Sequence, residues 1–288
     1  MRSFVPGKPF WWQWPTVLSL DAPAVALLWQ WQLMRVVGLE PSWHQAFILG
    51  TSVWLAYAAD RWIEGWRLQP GQIRTQRHYF YQRWRWPLCG LWLTVLAADL
   101  EVSIRCLSPA EFRAGWLLLV PVGLYLLSHQ FIHRHHRWRA PKEICVALLL
   151  GAGVALFPLT QPVAVLSALA VPLILFCLLC FANCALISVW EHDVDQAHGQ
   201  TSLALQFRRS RVLATTLPWV MAVSAAALAL SHHGAARTAL LCAATSSVFL
   251  GLLHLLHEKT GPQLARVLAD GALLTPLVPL LSELFFVS

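Results

Sequence analysis

The sequence predicts an all-α membrane protein of about nine transmembrane helices, and three observations support this prediction. Hydrophobic residues make up 57% of the 288 residues and charged residues only 12%, whereas soluble domains carry about 25% charged residues. The apolar runs approach the roughly 20 residues that a helix needs to cross a bilayer core. They are rich in Leu, Ala and Val and lack the short alternating pattern of barrel strands.

The first 15 residues form a basic segment rich in tryptophan, with Trp11, Trp12 and Trp14 close together. No short apolar core with a small-residue cleavage site follows, so the pattern does not indicate a cleaved signal peptide. We expect an interfacial segment over residues 1–15 and a single transmembrane domain over residues 16–288.

The apolar runs divide the rest of the chain into candidate spans, separated by Pro and Gly residues. The predicted spans cover residues 16–38, 43–66, 86–105, 111–131, 142–158, 163–190, 211–231, 235–256 and 264–286.

Basic residues concentrate in the loops that follow the even-numbered spans, such as 67–85 and 208–211. The positive-inside rule therefore predicts a cytoplasmic N-terminus and cytoplasmic even-numbered loops, with the C-terminus outside. This topology explains the net charge of +7, so we expect no nucleic-acid partner. We expect the spans to contact membrane lipid.

Two acidic clusters lie at the ends of predicted spans. Asp60 and Glu64 are four residues apart, as are Glu191 and Asp195, so each pair shares a helix face. Asp193 lies between the second pair and points away from that face. Ionisable groups near a bilayer are functional candidates by default. Each cluster has the alternative of capping its helix or pairing with a nearby arginine.

A divalent cation would convert the repulsion within each carboxylate pair into coordination. Hard oxygen ligands on two helices, completed by water and phosphate, describe a Mg²⁺ site for a diphosphate. Both clusters are predicted at cytoplasmic helix ends, four spans apart, where they could face one cavity.

With this arrangement the chain resembles the UbiA superfamily of intramembrane prenyltransferases. Its second motif is Asp-x-x-x-Asp-x-x-x-Gly, and Glu191, Asp195 and Gly199 fall in that register. Its first motif is Asn-Asp-x-x-Asp-x-x-x-Asp; placing Glu64 on the middle Asp puts Asp60 on the Asn and Arg61 on the first Asp. The sequence is thus similar to a divergent UbiA protein with a UbiA-type helical bundle.

The resemblance implies roles for the polar and aromatic residues around the clusters. Asp60, Glu64, Glu191 and Asp195 are expected to be the catalytic and metal-binding residues; Arg61, Arg74, Arg77 and Lys142 to bind diphosphate; and Trp62, Trp66, Asn183 and Trp190 to line the pocket. An aromatic face would stabilise an allylic carbocation. Asp270, inside the last span, is expected to make a structural hydrogen bond.

The predicted function is transfer of a prenyl group from an isoprenoid diphosphate to a lipophilic or aromatic acceptor, with Mg²⁺ as cofactor. A terpene cyclase, in which the carbocation closes on itself, would use the same site. An alternative of another class is a proton- or ion-coupled transporter, in which the intramembrane carboxylates would carry protons or ions. Carboxylates at helix ends on one side favour the enzyme over the transporter.

Overall fold

In a computed structural model of the chain, residues 8–67, 73, 75–128, 141–161, 163–197 and 202–286 are described. These residues form helices and no strand, which confirms the all-α class. A single 3₁₀ turn over Trp11–Gln13 precedes the α-helices. The helices are α1 Trp14–Val17, α2 Asp21–Val36, α3 Trp43–Arg67, α4 Gln76–Arg83, α5 Arg85–Cys106, α6 Pro109–Leu127, α7 Lys142–Leu159, α8 Val163–Trp190, α9 His192–Ala197, α10 Leu203–Gln206, α11 Ser210–Leu230, α12 Gly234–Thr260, α13 Pro262–Ala272 and α14 Leu277–Phe286.

Six of the described helices are long and apolar enough to cross a membrane: α5, α6, α7, α8, α11 and α12. The pair α13 and α14 makes a seventh span if its 51° bend lies within one crossing. Helix α2 has only 16 residues, and α3 is long enough but less apolar. The chain is an integral membrane protein, but the predicted count of nine spans is not confirmed.

Helix α8 is the centre of the bundle, with α2, α7, α11, α12 and α13 packed around it. The core combines a few large side chains, such as Trp29 stacked on Phe176 at 4.8 Å, with many buried alanines. Small residues let helix backbones approach closely in a bilayer. On the outside, α6 has no buried residue among its apolar side chains, as expected for a helix that faces lipid.

The first and last predicted spans are interrupted in the structure. Ser19, with φ of 59°, separates α1 from α2, and its hydroxyl lies 2.9 Å from the Tyr81 hydroxyl of α4. The break between α13 and α14 is stabilised by Trp29, whose indole N–H donates to the carbonyl of Leu273 at 2.9 Å. Backbone polar groups need such partners inside a bilayer.

Polar contacts distinguish the two ends of the bundle. At one end the Gln13 amide donates to the side-chain carbonyl of Gln263, at the start of α13. At the other end Arg35 bonds both Glu40 and Glu283, at 3.0 and 2.8 Å, and so joins the end of α2 to α14. The described N-terminal residues and the end of α14 therefore lie at opposite ends.

Candidate active site

The site occupies the end of the bundle where α3 and α8 finish and α7 and α13 begin. Between α3 and α5 lies the short helix α4, which was predicted only as part of a loop. Gly65 of α3 allows α4 to pack closely, since a Cβ there would lie 3.2 Å from the backbone oxygen of His78. This contact brings two consecutive α4 residues, Arg77 and His78, over the carboxylates.

Glu64 of the first cluster is held by His78. The imidazole Nε2 lies 2.8 Å from Glu64 Oε2, and because a carboxylate only accepts, Nε2 is the donor. The other ring nitrogen lies 2.6 Å from the Thr75 hydroxyl. His78 is 1% exposed, so its ring is fixed in one orientation. Asp60 lies one turn before Glu64 in α3. Both carboxylates are close enough to Tyr125 of α6 to interact with it electrostatically.

Glu191 follows α8 directly and is paired with two arginines. Its Oε2 accepts from Arg77 at 3.2 Å and from Arg266 of α13 at 2.5 Å. Burial alone would raise the pKa of this carboxyl. The charge of Arg266, and after it that of Arg77, outweighs burial and holds the Glu191 pKa well below its usual range. Glu191 is therefore ionised throughout the physiological pH range.

Asp195 lies one turn after Glu191, and the backbone bond from its N–H to the Glu191 carbonyl, at 2.9 Å, maintains that spacing. Its Oδ1 is 3.6 Å from Lys142 Nζ at the start of α7. Its Oδ2 is buried and has no hydrogen-bond partner among the described residues. Asp193, by contrast, is exposed, as its predicted orientation requires.

The start of α7 connects the two clusters. Lys142 lies within electrostatic range of Asp195, Glu64 and Glu191. The adjacent Glu143 is 2% exposed, and its Oε1 accepts from the backbone N–H of Leu203 at 3.0 Å. The structure thus brings Glu64, Glu191 and Asp195 around one group of basic residues. Gly199 of the second motif is outside the described residues.

Arg61, another predicted diphosphate ligand, contacts the N-terminal segment in the structure. The Arg61 guanidinium is buried and donates to the backbone carbonyl of Thr16, with its charge 6.0 Å from the Tyr57 ring centroid. The contact with Thr16 turns Arg61 toward the N-terminal segment. Arg74 lies outside the described residues.

The predicted pocket tryptophans pack against neighbouring helices. Trp62 donates to the Arg85 carbonyl at 3.0 Å and packs edge-on against Trp66, which is 46% exposed. Trp190 donates to His254 of α12 at 3.1 Å and stacks on His254 and His257. Their role around a carbocation stays a prediction. Tyr125 of α6 also lies within electrostatic range of Asp60 and Glu64.

Asn183 lies deeper in the bundle than the carboxylates. Its amide donates to Asp270 Oδ1 at 2.9 Å, which gives Asp270 the kind of hydrogen bond predicted for it. Within the part of the chain that the structure describes, the buried carbonyl oxygen of Asn183 has no hydrogen-bond partner.

Sequence reasoning missed three site residues, because Arg266, Glu143 and Tyr125 were given no role at the site. His78 was expected in a loop covering the diphosphate, with contacts to phosphate oxygens, and not as the partner of Glu64. Their partners come from other helices, so no local spacing points to them. The one signal was a polar side chain at the edge of an apolar run.

Comparison with solved structures gives a clear similarity in fold. The structure matches an apo structure of a UbiA homolog from Aeropyrum pernix K1 with a TM-score of 0.63, over 91% of this chain and 98% of that chain. The chain has the UbiA fold. The resemblance inferred from the two carboxylate clusters is thereby confirmed at the level of fold, at 11% sequence identity. No family model matches the chain, and no curated protein matches it.

Proposed function

We propose that this UbiA-fold protein is an intramembrane prenyltransferase that uses Mg²⁺ and an isoprenoid diphosphate to prenylate a lipophilic or aromatic acceptor. The observation that supports it is the convergence of Glu64, Glu191 and Asp195 with Arg77, Lys142 and Arg266 at one end of an apolar bundle. Such a site offers carboxylates for a metal and cations for phosphate oxygens, next to a bilayer in which an isoprenoid chain dissolves.

The donor chemistry of the site fits Mg²⁺. Among the described ranges, no three His, Cys, Asp or Glu side chains are close enough to hold a metal by themselves. Magnesium does not need such a cage, because it usually binds through one or two carboxylates plus phosphate oxygens and water. Asp195 offers one such carboxylate oxygen, because its buried Oδ2 has no hydrogen-bond partner among the described residues. Glu64, Glu191 and Asp195 would supply carboxylate ligands to magnesium, and Asp60, one turn before Glu64, is proposed as a further ligand.

Bound Mg²⁺ would neutralise charge on the departing diphosphate. The chain's own cations would contribute to the same neutralisation, because Arg77, Arg266 and Lys142 can donate to phosphate oxygens and charge-assisted hydrogen bonds are the strong ones. Because these groups are positioned before the reaction, little reorganisation accompanies charge development on the leaving group. The dry helical interior would exclude water, so the allylic cation is captured by the acceptor.

The proposed activity is tested by incubating the purified protein with Mg²⁺ and radiolabelled prenyl diphosphates of several chain lengths, with and without a membrane lipid extract. We expect diphosphate release that depends on Mg²⁺ and on the extract, with label in a new lipid. Release without extract, giving a cyclic hydrocarbon or alcohol, would instead indicate the cyclase. Absence of release with every chain length, or full release in chelator, would contradict the proposal.

We also propose that the site end of the bundle faces the cytoplasm and that the end of α14 faces outward. The loop charges predict this orientation, and it is supported by the contacts of Gln13 with Gln263 and of Glu283 with Arg35, which lie at opposite ends of the bundle. In a background with the native cysteines replaced, an impermeant thiol reagent added to intact cells should label Glu40→Cys and not Asp193→Cys. Both positions are exposed. Labelling of Asp193→Cys alone would reverse the orientation.

A further inference from the structure

Each of the three carboxylates brought together at the site is paired with a side chain of the protein itself. Arg77 and Arg266 bond Glu191, Lys142 lies beside Asp195, and His78 holds Glu64. Glu191 is 11% exposed, and its two arginines 13% and 16%. Glu191 and Asp195 thus already face positive side chains, and Glu64 accepts a hydrogen bond from His78.

Arg77, Arg266 and Lys142 therefore compensate the negative charges of Glu191 and Asp195, and this compensation opposes the binding of either ligand alone. Mg²⁺ alone would have to displace two guanidinium groups from Glu191 while remaining close to their like charge. A diphosphate alone would bring negative charge next to Glu64, Glu191 and Asp195. Either ligand by itself would leave a charge of one sign poorly compensated in a partly buried site, which is costly.

A metal and a diphosphate together avoid this cost. The arginines can move from the carboxylate to phosphate oxygens, which Arg recognises as well as it recognises carboxylates. The carboxylate oxygens are then released to the metal. At each step every charge keeps an opposite partner.

We infer that Arg77 and Arg266 are exchangeable partners of Glu191, which they neutralise in the resting protein and leave for the diphosphate when metal and diphosphate bind together. This inference rests on the proposed function. It assigns Arg266 of α13 to the diphosphate site, together with Arg77 and Lys142. It also predicts that the resting protein scarcely binds Mg²⁺ by itself.

The exchange makes the binding of metal and diphosphate strongly cooperative. Coupling between two sites is reciprocal, and typical couplings change an affinity roughly 5- to 150-fold. We expect the half-saturating concentration of free Mg²⁺ to fall at least about tenfold when pyrophosphate is present.

The test measures thermal unfolding of the full chain in detergent micelles by tryptophan fluorescence. Mg²⁺ alone, inorganic pyrophosphate alone and the two together are added, with correction for magnesium chelated in solution. Inorganic pyrophosphate is chosen because it carries the headgroup without a commitment to prenyl chain length. For the wild-type protein we expect a rise in Tm only when both are present, since a ligand stabilises the state that it binds.

The variant Arg77→Gln/Arg266→Gln reverses this response. Glu191 then lacks both arginines, so the protein should be less stable without metal, and Mg²⁺ alone should raise its Tm. Arg266→Lys keeps the charge, so its Tm should still rise only when both ligands are present, although by less than that of wild type because an ammonium group lacks the guanidinium fork. Arg35→Gln is the matched control, because it removes an arginine that bonds two glutamates at the opposite end of the bundle; its response to both ligands should equal that of wild type.

Each outcome has a distinct meaning. If Mg²⁺ alone raises the wild-type Tm as much as both ligands do, the exchange is wrong although the proposed function stands. If both ligands together leave the wild-type Tm unchanged, the proposed diphosphate site itself is wrong. A folded double variant that ignores Mg²⁺ also overturns the exchange. If the double variant does not fold, Arg266→Gln decides by the same criterion, with a smaller metal-only rise expected.

Discussion

Asp195→Asn is expected to lower prenyl transfer by roughly 100- to 1,000-fold, the effect of losing one preorganised electrostatic group from an active site. The substitution preserves shape and removes one negative charge. Asp195 is only 4% exposed, and its Oδ2 finds no hydrogen-bond partner in the described ranges. An amide at that position binds Mg²⁺ far less well than a carboxylate, so the loss should appear in turnover under saturating substrate.

Asp193→Asn is the matched control, since it removes the same charge from the same short helix, α9. Asp193 is exposed, and exposed substitutions away from special features usually change free energies by within about 0.5 kcal/mol. Its activity should therefore stay within about twofold of wild type. Product formation and thermal unfolding should be measured for both variants. Equal activities, or an Asp195→Asn protein that has lost its fold, would remove Asp195 from the metal-binding set.

The sequence predicts well those helices whose signal is a long apolar run. Helices α5, α8 and α12 were predicted within a few residues. A run of about 20 apolar residues in a bilayer must form a helix, because only then are its backbone polar groups all hydrogen-bonded. The break between α13 and α14 was missed because hydropathy does not change there: Leu273 and Leu274 lie at the bend, with Pro276 as its local signal. A bend depends on partners such as the Trp29 indole, which is distant in sequence.

The site was predictable only where its pattern is local. The four-residue spacing identified the acidic pairs, and the alternation of Glu191, Asp193 and Asp195 indicated which carboxylates turn inward. One alternative was that the carboxylates pair with arginines near them in sequence. Glu191 does pair with arginines, but these are Arg77 and Arg266, which are distant along the chain. Arg266 reaches Glu191 because α13 packs on α8, which no spacing along the chain encodes.

Glu191→Gln is expected to destabilise the resting protein by about 3–5 kcal/mol, the usual effect of removing one partner from a buried ion pair. The variant leaves Arg77 and Arg266 facing each other, partly buried, without the carboxylate that both bond. The matched control is Glu40→Gln, whose carboxylate also bonds an arginine but is 78% exposed. Its loss should cost less than about 1 kcal/mol. Thermal unfolding in micelles, followed by tryptophan fluorescence, measures both.

A double-mutant cycle with Arg266→Gln separates the ion pair from simple misfolding. Removing both partners of a buried pair is often far less harmful than removing one, so the double variant Glu191→Gln/Arg266→Gln should be more stable than the sum of the single changes predicts. Residues in direct contact typically show interaction energies of about 0.5–3 kcal/mol in such cycles. Strict additivity would mean that the short contact between Glu191 and Arg266 contributes nothing to the fold. The two arginines would then have no need of Glu191 in the resting protein, and the partner exchange at the site would lose its starting state.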